Sequence, residues 1–344
     1  MTLTVSGGLV TSPANLVWAR RGLDLPVIVE DDGPTWTWRM LANATSEVAG
    51  RLGPRTGERV TVTAPNGGAI VAAVLGVWLA GGVPALISPK LPVRERSKVL
   101  AAVGSTADIV YSGLGLDGSV TISDDFADAR QDPARTPPRV ALDEPGIVLC
   151  TSGTTGTPKT IVHSMRAVWD QVVSVSRDEV DPDAPPEPTP APPGRVQAAP
   201  MAHIAAVFAI MFNLWRGRAM VVMKRFEPVR YAELVREHGV HTLSLVPSMI
   251  RMMLDSPVDS LAPARVVSTG TAALPAAWRA EFEARFGIPI QTTYGQTEAG
   301  TIAYEPLSDV VGGVRRPGTA GRIVPQIEVD IRDDEGRSQP GGSR

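Results

Sequence analysis

Residues Ile147 to Lys159 read Ile-Val-Leu-Cys-Thr-Ser-Gly-Thr-Thr-Gly-Thr-Pro-Lys, and this stretch decides the fold. Its first four residues form a short apolar run bounded by turn residues, which is typical of a buried strand. Two glycines then let the backbone turn tightly and approach a ligand closely. Hydroxyl groups, loop amides and the charge of Lys159 suit the oxygens of a polyphosphate. We therefore predict that residues Thr151–Lys159 form a phosphate-binding loop, called the phosphate loop below.

A Walker A loop is the main alternative for this stretch, but it requires Gly-x-x-x-x-Gly-Lys-[Ser/Thr] followed by a helix. Here Thr157 follows Gly156, and Pro158 removes an amide just before the lysine. The three residues after Lys159 are β-branched, which favours a strand after the loop over a helix. On the local sequence alone, a Gly/Ser/Thr surface turn without a ligand also stays open.

The composition excludes several classes of protein. The 344 residues are 20% charged and 43% hydrophobic, with a formal net charge of −3, which is ordinary for a globular protein. This balance favours neither nucleic acid nor an anionic membrane as a partner.

Cys150 is the single cysteine, so we expect no intramolecular disulfide, a reducing cytoplasmic compartment and a core role for this residue. The N-terminus lacks the pattern of a signal peptide. Residues 69–87 are uncharged, but glycines and a proline interrupt them, so we predict no transmembrane helix.

Strand and helix patterns alternate along most of the chain, which predicts parallel sheets covered by helices on both faces. The predicted helices span residues 41–52, 66–80 (capped by Asn66), 93–103, 167–177, 204–215, 228–238, 248–254 and 275–286. The predicted strands span residues 27–30, 35–38, 59–64, 83–87, 109–111, 147–150, 219–223, 242–246, 266–269, 290–293 and 327–332. Trp278, Phe282 and Phe286 recur at four-residue spacing, which indicates core packing.

We divide the chain into three parts. Residues 1–178 form a first α/β subdomain that includes the phosphate loop, and residues 179–311 form a second α/β subdomain. Residues 312–344 begin a small β subdomain. Seven prolines lie within residues 181–195, which predicts an exposed polyproline-like loop.

A second polar cluster, Thr292-Thr293-Tyr294-Gly295-Gln296-Thr297-Glu298, directly follows a predicted strand. Ligands bind at the carboxyl edge of the strands in open α/β sheets. There the tyrosine ring can stack on a base, a hydroxyl can reach a phosphate, and the carboxylate can hold Mg²⁺. The alternative is a cap that opens a helix.

Two further segments stand next to predicted helices. Residues 268–275, Ser-Thr-Gly-Thr-Ala-Ala-Leu-Pro, end a strand with small residues on which a flat ligand could lie. Residues 200–206, Pro-Met-Ala-His-Ile-Ala-Ala, place His203 before an apolar helix. A plain helix N-terminus and a structural histidine are the alternatives that the local sequence leaves open.

The sequence Thr-Ser-Gly-Thr-Thr-Gly-Thr-Pro-Lys resembles the phosphate loop of the adenylate-forming superfamily: acyl- and aryl-CoA synthetases, adenylation domains of peptide synthetases, and luciferases. It departs downstream, with Thr160 at the usual glycine and Met165 at the usual histidine. The segments around Gly270 and Tyr294 resemble later motifs of the superfamily. The resemblance implies the fold of its large N-terminal domain, an α/β architecture of two parallel-sheet αβα subdomains and a small β-barrel-like subdomain. It also implies that the C-terminal lobe, with its catalytic lysine, is absent.

The resemblance further implies roles for individual residues. Tyr294 would pack along adenine, Thr297 would contact the α-phosphate, and Glu298 would bind Mg²⁺. Ile204 stands where amino-acid-activating domains usually carry an aspartate, so an aliphatic or aromatic acid is favoured over an α-amino acid. The implied ATP and AMP contacts are Thr151, Ser152, Gly153, Thr154, Thr155, Gly156, Lys159, Gly270, Thr271, Ala272, Thr293, Tyr294, Gly295 and Thr297. The implied acyl pocket comprises His203, Ile204, Ala205, Phe208, Thr269, Gly270 and Gly295. The implied catalytic residues are Thr151, Lys159, His203, Thr297 and Glu298.

The implied reaction is attack of a carboxylate on the α-phosphorus of ATP, which releases pyrophosphate and leaves an acyl-adenylate. CoA or the phosphopantetheine of an acyl-carrier protein would then accept the acyl group. We expect the chain as given to bind ATP or an acyl-adenylate but to turn over poorly. The alternatives are a non-catalytic binding module completed by another chain, a phosphate-loop kinase or ATPase, and, on weaker grounds, a dinucleotide oxidoreductase.

Overall fold

A computed structural model describes residues 3–5, 8–10, 12–128, 142–151, 159–176, 188–314, 318–325 and 327–339. The phosphate-loop residues Ser152, Gly153, Thr154, Thr155 and Gly156 lie outside this described part, as do residues 181–187 of the proline-rich loop. The predictions that concern these residues are therefore not addressed by the structure.

The described part alternates helices and strands, as predicted. Its α-helices are α1 (Pro13–Ala19), α2 (Trp38–Leu52), α3 (Gly68–Leu79), α4 (Val93–Val103), α5 (Met165–Ser176), α6 (Ile204–Trp215), α7 (Pro228–Glu237), α8 (Pro247–Leu254), α9 (Ala276–Phe286) and α10 (Leu307–Val311). Its strands are β1 (Leu3–Val5), β2 (Gly8–Val10), β3 (Pro26–Glu30), β4 (Thr35–Thr37), β5 (Arg59–Thr63), β6 (Val83–Ile87), β7 (Ala107–Tyr111), β8 (Val120–Ile122), β9 (Pro145–Thr151), β10 (Lys159–Ser164), β11 (Val196–Gln197), β12 (Met220–Val222), β13 (Thr242–Ser244), β14 (Val266–Thr269), β15 (Ile290–Gln296), β16 (Gly300–Tyr304) and β17 (Arg322–Ile323). Short 3₁₀ helices span Ser112–Leu114 and Asp124–Asp128.

The first sheet has the strand order β10-β9-β6-β5-β7-β8. Strands β9, β6, β5, β7 and β8 run parallel, and β10 pairs antiparallel with β9 at the edge. Cys150 of β9 lies opposite Thr160 of β10, so the phosphate loop connects two strands and the predicted strand–loop–strand arrangement is confirmed. Every residue of α3 is buried, because this helix is apolar all round and lies inside the core.

Two further sheets carry the rest of the fold. The second sheet has the order β11-β12-β3-β4, and the third has the order β13-β14-β15-β16-β17. In the third sheet β13, β14 and β15 are parallel, whereas β16 and β17 are antiparallel to their neighbours. The second sheet pairs β3 with β12 and thus joins strands on either side of residue 178. The division of the chain at that residue stays a prediction.

The start of α3 differs from its prediction. Asn66 does not cap this helix, which begins at Gly68 after Gly67. The Asn66 side chain accepts a hydrogen bond from the Met201 amide at 2.8 Å and donates to the carbonyl oxygen of Met223 at 3.0 Å. The Gly68 amide instead donates to Glu30 Oε1 at 2.7 Å. The prediction was wrong because these partners come from distant parts of the chain.

Several strand boundaries also differ from their predictions, and two of these differences have a visible cause. The predicted strand 35–38 ends at Thr37, because the Thr37 hydroxyl accepts a hydrogen bond from the Met40 amide at 3.2 Å and caps α2. The predicted strand 290–293 continues to Gln296, because β16 supplies a ladder partner for each added residue. The cluster at Tyr294 therefore lies within a hairpin and opens no helix.

The C-terminal part has fewer strands than expected. Only one isolated bridge, Arg332 to Ser338, is described within the region of the predicted strand 327–332 and its neighbours. Ile331 is 62% exposed, so this segment lacks the buried face that the strand prediction assumed. In contrast, the core prediction for α9 is confirmed: Phe282 is fully buried, and Trp278 and Phe286 pack against the same cluster.

Candidate active site

Two hairpins that are far apart in sequence meet in the structure. One is β9–β10, which carries the phosphate loop, and the other is β15–β16, which carries Tyr294 and the turn with Thr297 and Glu298. The ring Nε2 of His163, on β10, lies 2.6 Å from the carbonyl oxygen of Thr297. The fold thus brings β10, the strand that follows the phosphate loop, into direct contact with the second polar cluster.

A cavity of about 740 Å³ opens beside the β15–β16 hairpin. This volume lies within the range of small-molecule sites, which is about 300–1,000 Å³. The cavity is lined by three groups of residues: the turn after β14 with the adjoining face of α9, strand β15 with Glu305, and residues 318–320. Its lining includes seven of the predicted site residues, namely Thr269, Gly270, Thr271, Ala272, Thr293, Tyr294 and Gly295. Their roles toward a ligand stay predictions.

Glycines allow close backbone approach around this cavity. A Cβ atom at Gly295 would lie 2.2 Å from the Gly300 carbonyl oxygen, and one at Gly270 would lie 3.0 Å from the Thr293 carbonyl oxygen. Gly295 therefore has no room for a side chain, and a side chain at Gly270 would require the Thr293 carbonyl to shift. Thr271 has a φ of 70°, which is the left-handed region that a β-branched residue rarely adopts. Such backbone strain occurs often at ligand sites.

Thr269 contributes a buried hydroxyl to the same wall. The residue is 4% exposed, and its Oγ1 has no hydrogen-bond partner among the described residues. An unpartnered buried hydroxyl costs about 1–3 kcal/mol. Thr269 lines the cavity, but its hydroxyl itself is buried from solvent.

An ion pair stabilises the part of the cavity wall that α9 and β15 form. Glu305 Oε2 accepts hydrogen bonds from the Thr292 hydroxyl at 2.7 Å, the Thr292 amide at 2.9 Å and Arg279 Nη2 at 2.8 Å. Burial by itself raises the pKa of Glu305, but these donors outweigh it and hold the pKa below its ordinary value of 4.5. Glu305 is therefore a fixed negative charge that ties α9 to strand β15.

The predicted metal ligand and the phosphate-loop lysine are both accessible. Glu298 and Lys159 have exposed side chains, and Tyr294 is 56% exposed. Within the described ranges no group of three or more His, Cys, Asp or Glu side chains could hold a metal ion. A single carboxylate is compatible with Mg²⁺, which often takes one or two protein carboxylates and fills its other positions with phosphate oxygens and water. Glu298 fits that role chemically.

The predicted acyl-pocket residues lie in two places. Thr269, Gly270 and Gly295 line the cavity, but His203, Ile204, Ala205 and Phe208 belong to the start of α6 and are not part of its lining. His203 is the exposed N-cap residue of α6, and its side chain makes no cap hydrogen bond. The structure brings His203 into no described contact with the cavity, so its role stays a prediction.

Sequence reasoning missed four residues that shape the site: His163, Arg279, Glu305 and Gln171, whose Oε1 accepts a hydrogen bond from the Thr301 amide at 2.8 Å. Each is a polar residue inside a helix or strand, or directly after one, and none belongs to a recognisable motif. The spacing of Arg279 and Glu283 on α9 was visible in the sequence as an i,i+4 pair. Their partners on β15 and after β16, however, depend on tertiary contacts.

Comparison with known proteins identifies the family of this chain. Residues 17–344 match the family model described as AMP-binding enzyme. The chain therefore belongs to the AMP-binding enzyme family, and its resemblance to the adenylate-forming superfamily is confirmed. Among the described residues no helix is long and apolar enough to cross a membrane.

Two relatives illustrate the range of the family. The sulfoacetate–CoA ligase of Cupriavidus necator is 30% identical over 333 residues, which cover 88% of this chain. The fatty acid–[acyl-carrier-protein] ligase ScoC of Streptomyces coeruleorubidus is 26% identical over 341 residues, which cover 91% of this chain. The matched region spans 63% of the length of each relative.

The fold also matches a solved structure. The inhibitor-bound N-terminal domain of FACL13 from Mycobacterium tuberculosis superposes with a TM-score of 0.80 at 24% identity. The match covers 96% of this chain and 86% of that domain. The predicted fold, that of the large N-terminal domain of adenylate-forming enzymes, is confirmed.

Proposed function

We propose that this chain binds Mg·ATP and a carboxylic acid and forms an acyl-adenylate with release of pyrophosphate. The observation that carries this proposal is the contact between His163 on β10 and Thr297 in the β15–β16 turn, 2.6 Å from Nε2 to the carbonyl oxygen. It brings the phosphate-loop hairpin and the Tyr294–Glu298 segment to one place, as a shared triphosphate requires.

The reaction joins two anions, which explains the residue types that we assign to it. Two unit charges about 4 Å apart repel by roughly 4 kcal/mol at an effective dielectric near 20. Lys159 and a Mg²⁺ ion held by Glu298 would offset this repulsion and the charge that develops on phosphorus. The Tyr294 ring would stack on adenine beside the Gly270–Ala272 turn.

The residue at position 204 bears on the class of acid that the chain would activate. Ile204 is uncharged, so no carboxylate at that position would hold the ammonium group of an α-amino acid. This supports an aliphatic or aromatic acid, and the fatty acid and sulfoacetate in the names of the two relatives are further candidates. The same names support CoA or the phosphopantetheine of a carrier protein as the thiol acceptor. The chain spans 63% of the length of each relative, and we propose that this part binds both substrates but turns over slowly by itself.

Calorimetric titration of the chain with Mg·ATP tests nucleotide binding. We expect Tyr294→Ala to weaken binding about tenfold through lost base stacking, and Glu298→Gln to remove the dependence of affinity on Mg²⁺. Glu281→Gln, a change at an exposed carboxylate on α9, serves as the matched control and should leave the affinity unchanged. Absence of nucleotide binding by the unmodified chain would contradict the proposal.

Exchange of radiolabelled pyrophosphate into ATP, measured across a panel of carboxylic acids, tests the chemistry. Slow exchange that depends on one class of acid, and that Glu298→Gln lowers further, would support acyl-adenylate formation. Rapid exchange by this chain alone would refute the slow turnover that we propose. A non-catalytic binding module would bind the nucleotide but give no exchange with any acid.

A further inference from the structure

We propose that His163 and Gln171 are positioning residues that hold the turn with Thr297 and Glu298 at a fixed place relative to Lys159, the last residue of the phosphate loop. This inference rests on the proposed function, because it assigns the two residues a task in the Mg·ATP site. Neither residue belongs to the motifs that identify the family, and neither lines the cavity. Both follow the phosphate loop in sequence, on β10 and α5.

His163 attaches the first side of the turn. It lies four residues after Lys159 and is 7% exposed. Its Nε2 is 2.6 Å from the Thr297 carbonyl oxygen, and a carbonyl oxygen only accepts hydrogen bonds. The ring must therefore carry a proton on Nε2 and donate it. The carbonyl belongs to the residue directly before Glu298, so this bond fixes the peptide unit that carries the predicted metal ligand.

Gln171 attaches the second side of the turn. Its Oε1 accepts a hydrogen bond from the Thr301 amide at 2.8 Å. Gly300, with a φ of 71°, lies directly against the same side chain, because a Cβ at this position would be 2.7 Å from the Gln171 Cδ atom. Residues 297 and 301 are thus both held from the phosphate-loop side, and Glu298 lies between them.

The two attachments matter because the Mg·ATP site is divided between the hairpins. Lys159 begins β10, whereas Glu298 is on the β15–β16 turn. A triphosphate that contacts both requires a fixed separation between them, and a displacement of about 1 Å in such a site can cost a large part of its activity. His163 and Gln171 supply two side-chain bonds between the hairpin regions, so the distance from lysine to carboxylate depends on them.

Hydrogen exchange and nucleotide binding together test this inference on the full chain. In His163→Leu, amide exchange in peptides that cover residues 293–304 should accelerate about 3- to 10-fold, which corresponds to the loss of one hydrogen bond. The same variant should bind Mg·ATP about 3- to 10-fold more weakly. In His163→Gln, an amide donor replaces Nε2–H, so the exchange rate and the Mg·ATP affinity should return most of the way to those of the unmodified chain. Gln171→Met, which removes the acceptor at similar size, should repeat the effect of His163→Leu.

His241→Leu is the matched control, because His241 is exposed and lies at the start of β13, away from the turn. It should change neither measurement. Unchanged exchange at residues 293–304 in both His163→Leu and Gln171→Met would overturn the inference. Equal acceleration of amide exchange in all peptides of the protein would also overturn it. The same holds if His163→Gln exchanges as fast and binds Mg·ATP as weakly as His163→Leu. If the unmodified chain binds no nucleotide, the proposed function fails, and the exchange data still decide whether these residues hold the turn.

Discussion

Glu305 and Arg279 form an ion pair across the wall of the cavity, with 2.8 Å between Oε2 and Nη2. The carboxylate comes from the segment after β16 and the guanidinium from α9, so the pair joins a helix to the hairpin that carries Tyr294. Arg279 also donates to the Ile290 carbonyl oxygen and pairs with Glu283. The pair is part of a network, and removal of the Glu305 carboxylate takes away an acceptor of Arg279 and of both Thr292 donors.

We expect Glu305→Gln to destabilise the protein by about 2 kcal/mol, the scale for a hydrogen bond to a charged group. Urea unfolding measures the change, and Glu281→Gln on the exposed face of α9 should cost less than about 0.5 kcal/mol. The native pKa of Glu305 is lowered, so the stability it contributes is present above its ordinary pKa of 4.5. This contribution disappears as the pH falls through the lower native pKa. A Gln variant with unchanged stability and unchanged acid sensitivity would contradict this account.

Glu30 should give the opposite pH dependence. Burial raises the pKa of this carboxyl group above its ordinary value of 4.5, and the nearby charge of Asp124 adds to the rise. The folded state therefore favours protonated Glu30. Its contribution to stability is full below pH 4.5 and is lost as the pH rises through the higher native pKa.

Replacement by glutamine tests this directly. Glu30→Gln keeps an oxygen for the Trp36 indole and the Gly68 amide, which donate to Oε1 at 2.8 and 2.7 Å. It replaces Oε2, which has no described partner, by an amide nitrogen and so removes the ionisable group. Thermal unfolding between pH 4 and pH 8 should show a variant that loses less stability than the unmodified protein as the pH rises. A steeper loss in the variant would show that the ionised carboxylate is the favoured form.

The backbone strain at Thr271 predicts a stabilising substitution. A left-handed conformation costs an L-residue roughly 1–2 kcal/mol, and glycine avoids that cost. The greater freedom of glycine in the unfolded chain offsets part of this gain. We expect Thr271→Gly to stabilise the protein by about 0.5–1 kcal/mol in urea unfolding, whereas Thr271→Ala, which keeps its Cβ, should gain less. If Ala stabilises as much as Gly, then crowding by the threonine side chain explains the gain and the left-handed backbone does not.

Cys150 should be an unreactive thiol. It packs against a small core cluster beside β9, and burial raises its pKa from 9.0 to about 11. The thiolate is the reactive form, so at pH 8 we expect iodoacetamide to modify Cys150 about 100-fold more slowly than a free cysteine. The rate should rise with pH toward 11 and also when the protein is unfolded in urea. Rapid modification of the folded protein at pH 8 would contradict the assignment of Cys150 as a core residue.

Much of the fold was predictable because local pattern and tertiary environment agree. The helix at Ile204–Trp215 and the strand at Val266–Thr269 have the predicted bounds. The strand after Lys159 was predictable from three β-branched residues. The structure departs from prediction where a distant segment decides a boundary. Asn66 looks like a cap in the sequence, yet Met201 and Met223 supply its partners.

The candidate site was predictable only in part, for the same reason. The Gly270 turn and Tyr294 carry motifs, so their position on one cavity could be anticipated from the resemblance. His163, Gln171 and Glu305 carry none. Their importance follows from contacts at 134, 130 and 13 residues of separation, and no pattern within a short window contains that information.

The pairing of β3 with β12 has a consequence for biosynthesis. Ile28 lies beside Met220 in the ladder, so nearly two hundred residues separate the two partners. During translation β3 has no partner on that edge until β12 has left the ribosome, because the two strands cannot pair before β12 is synthesised. Stalled or prematurely ended chains that lack β12 would leave the edge of β3 from Ile28 to Glu30 without its ladder partner, and an unpaired strand edge favours aggregation.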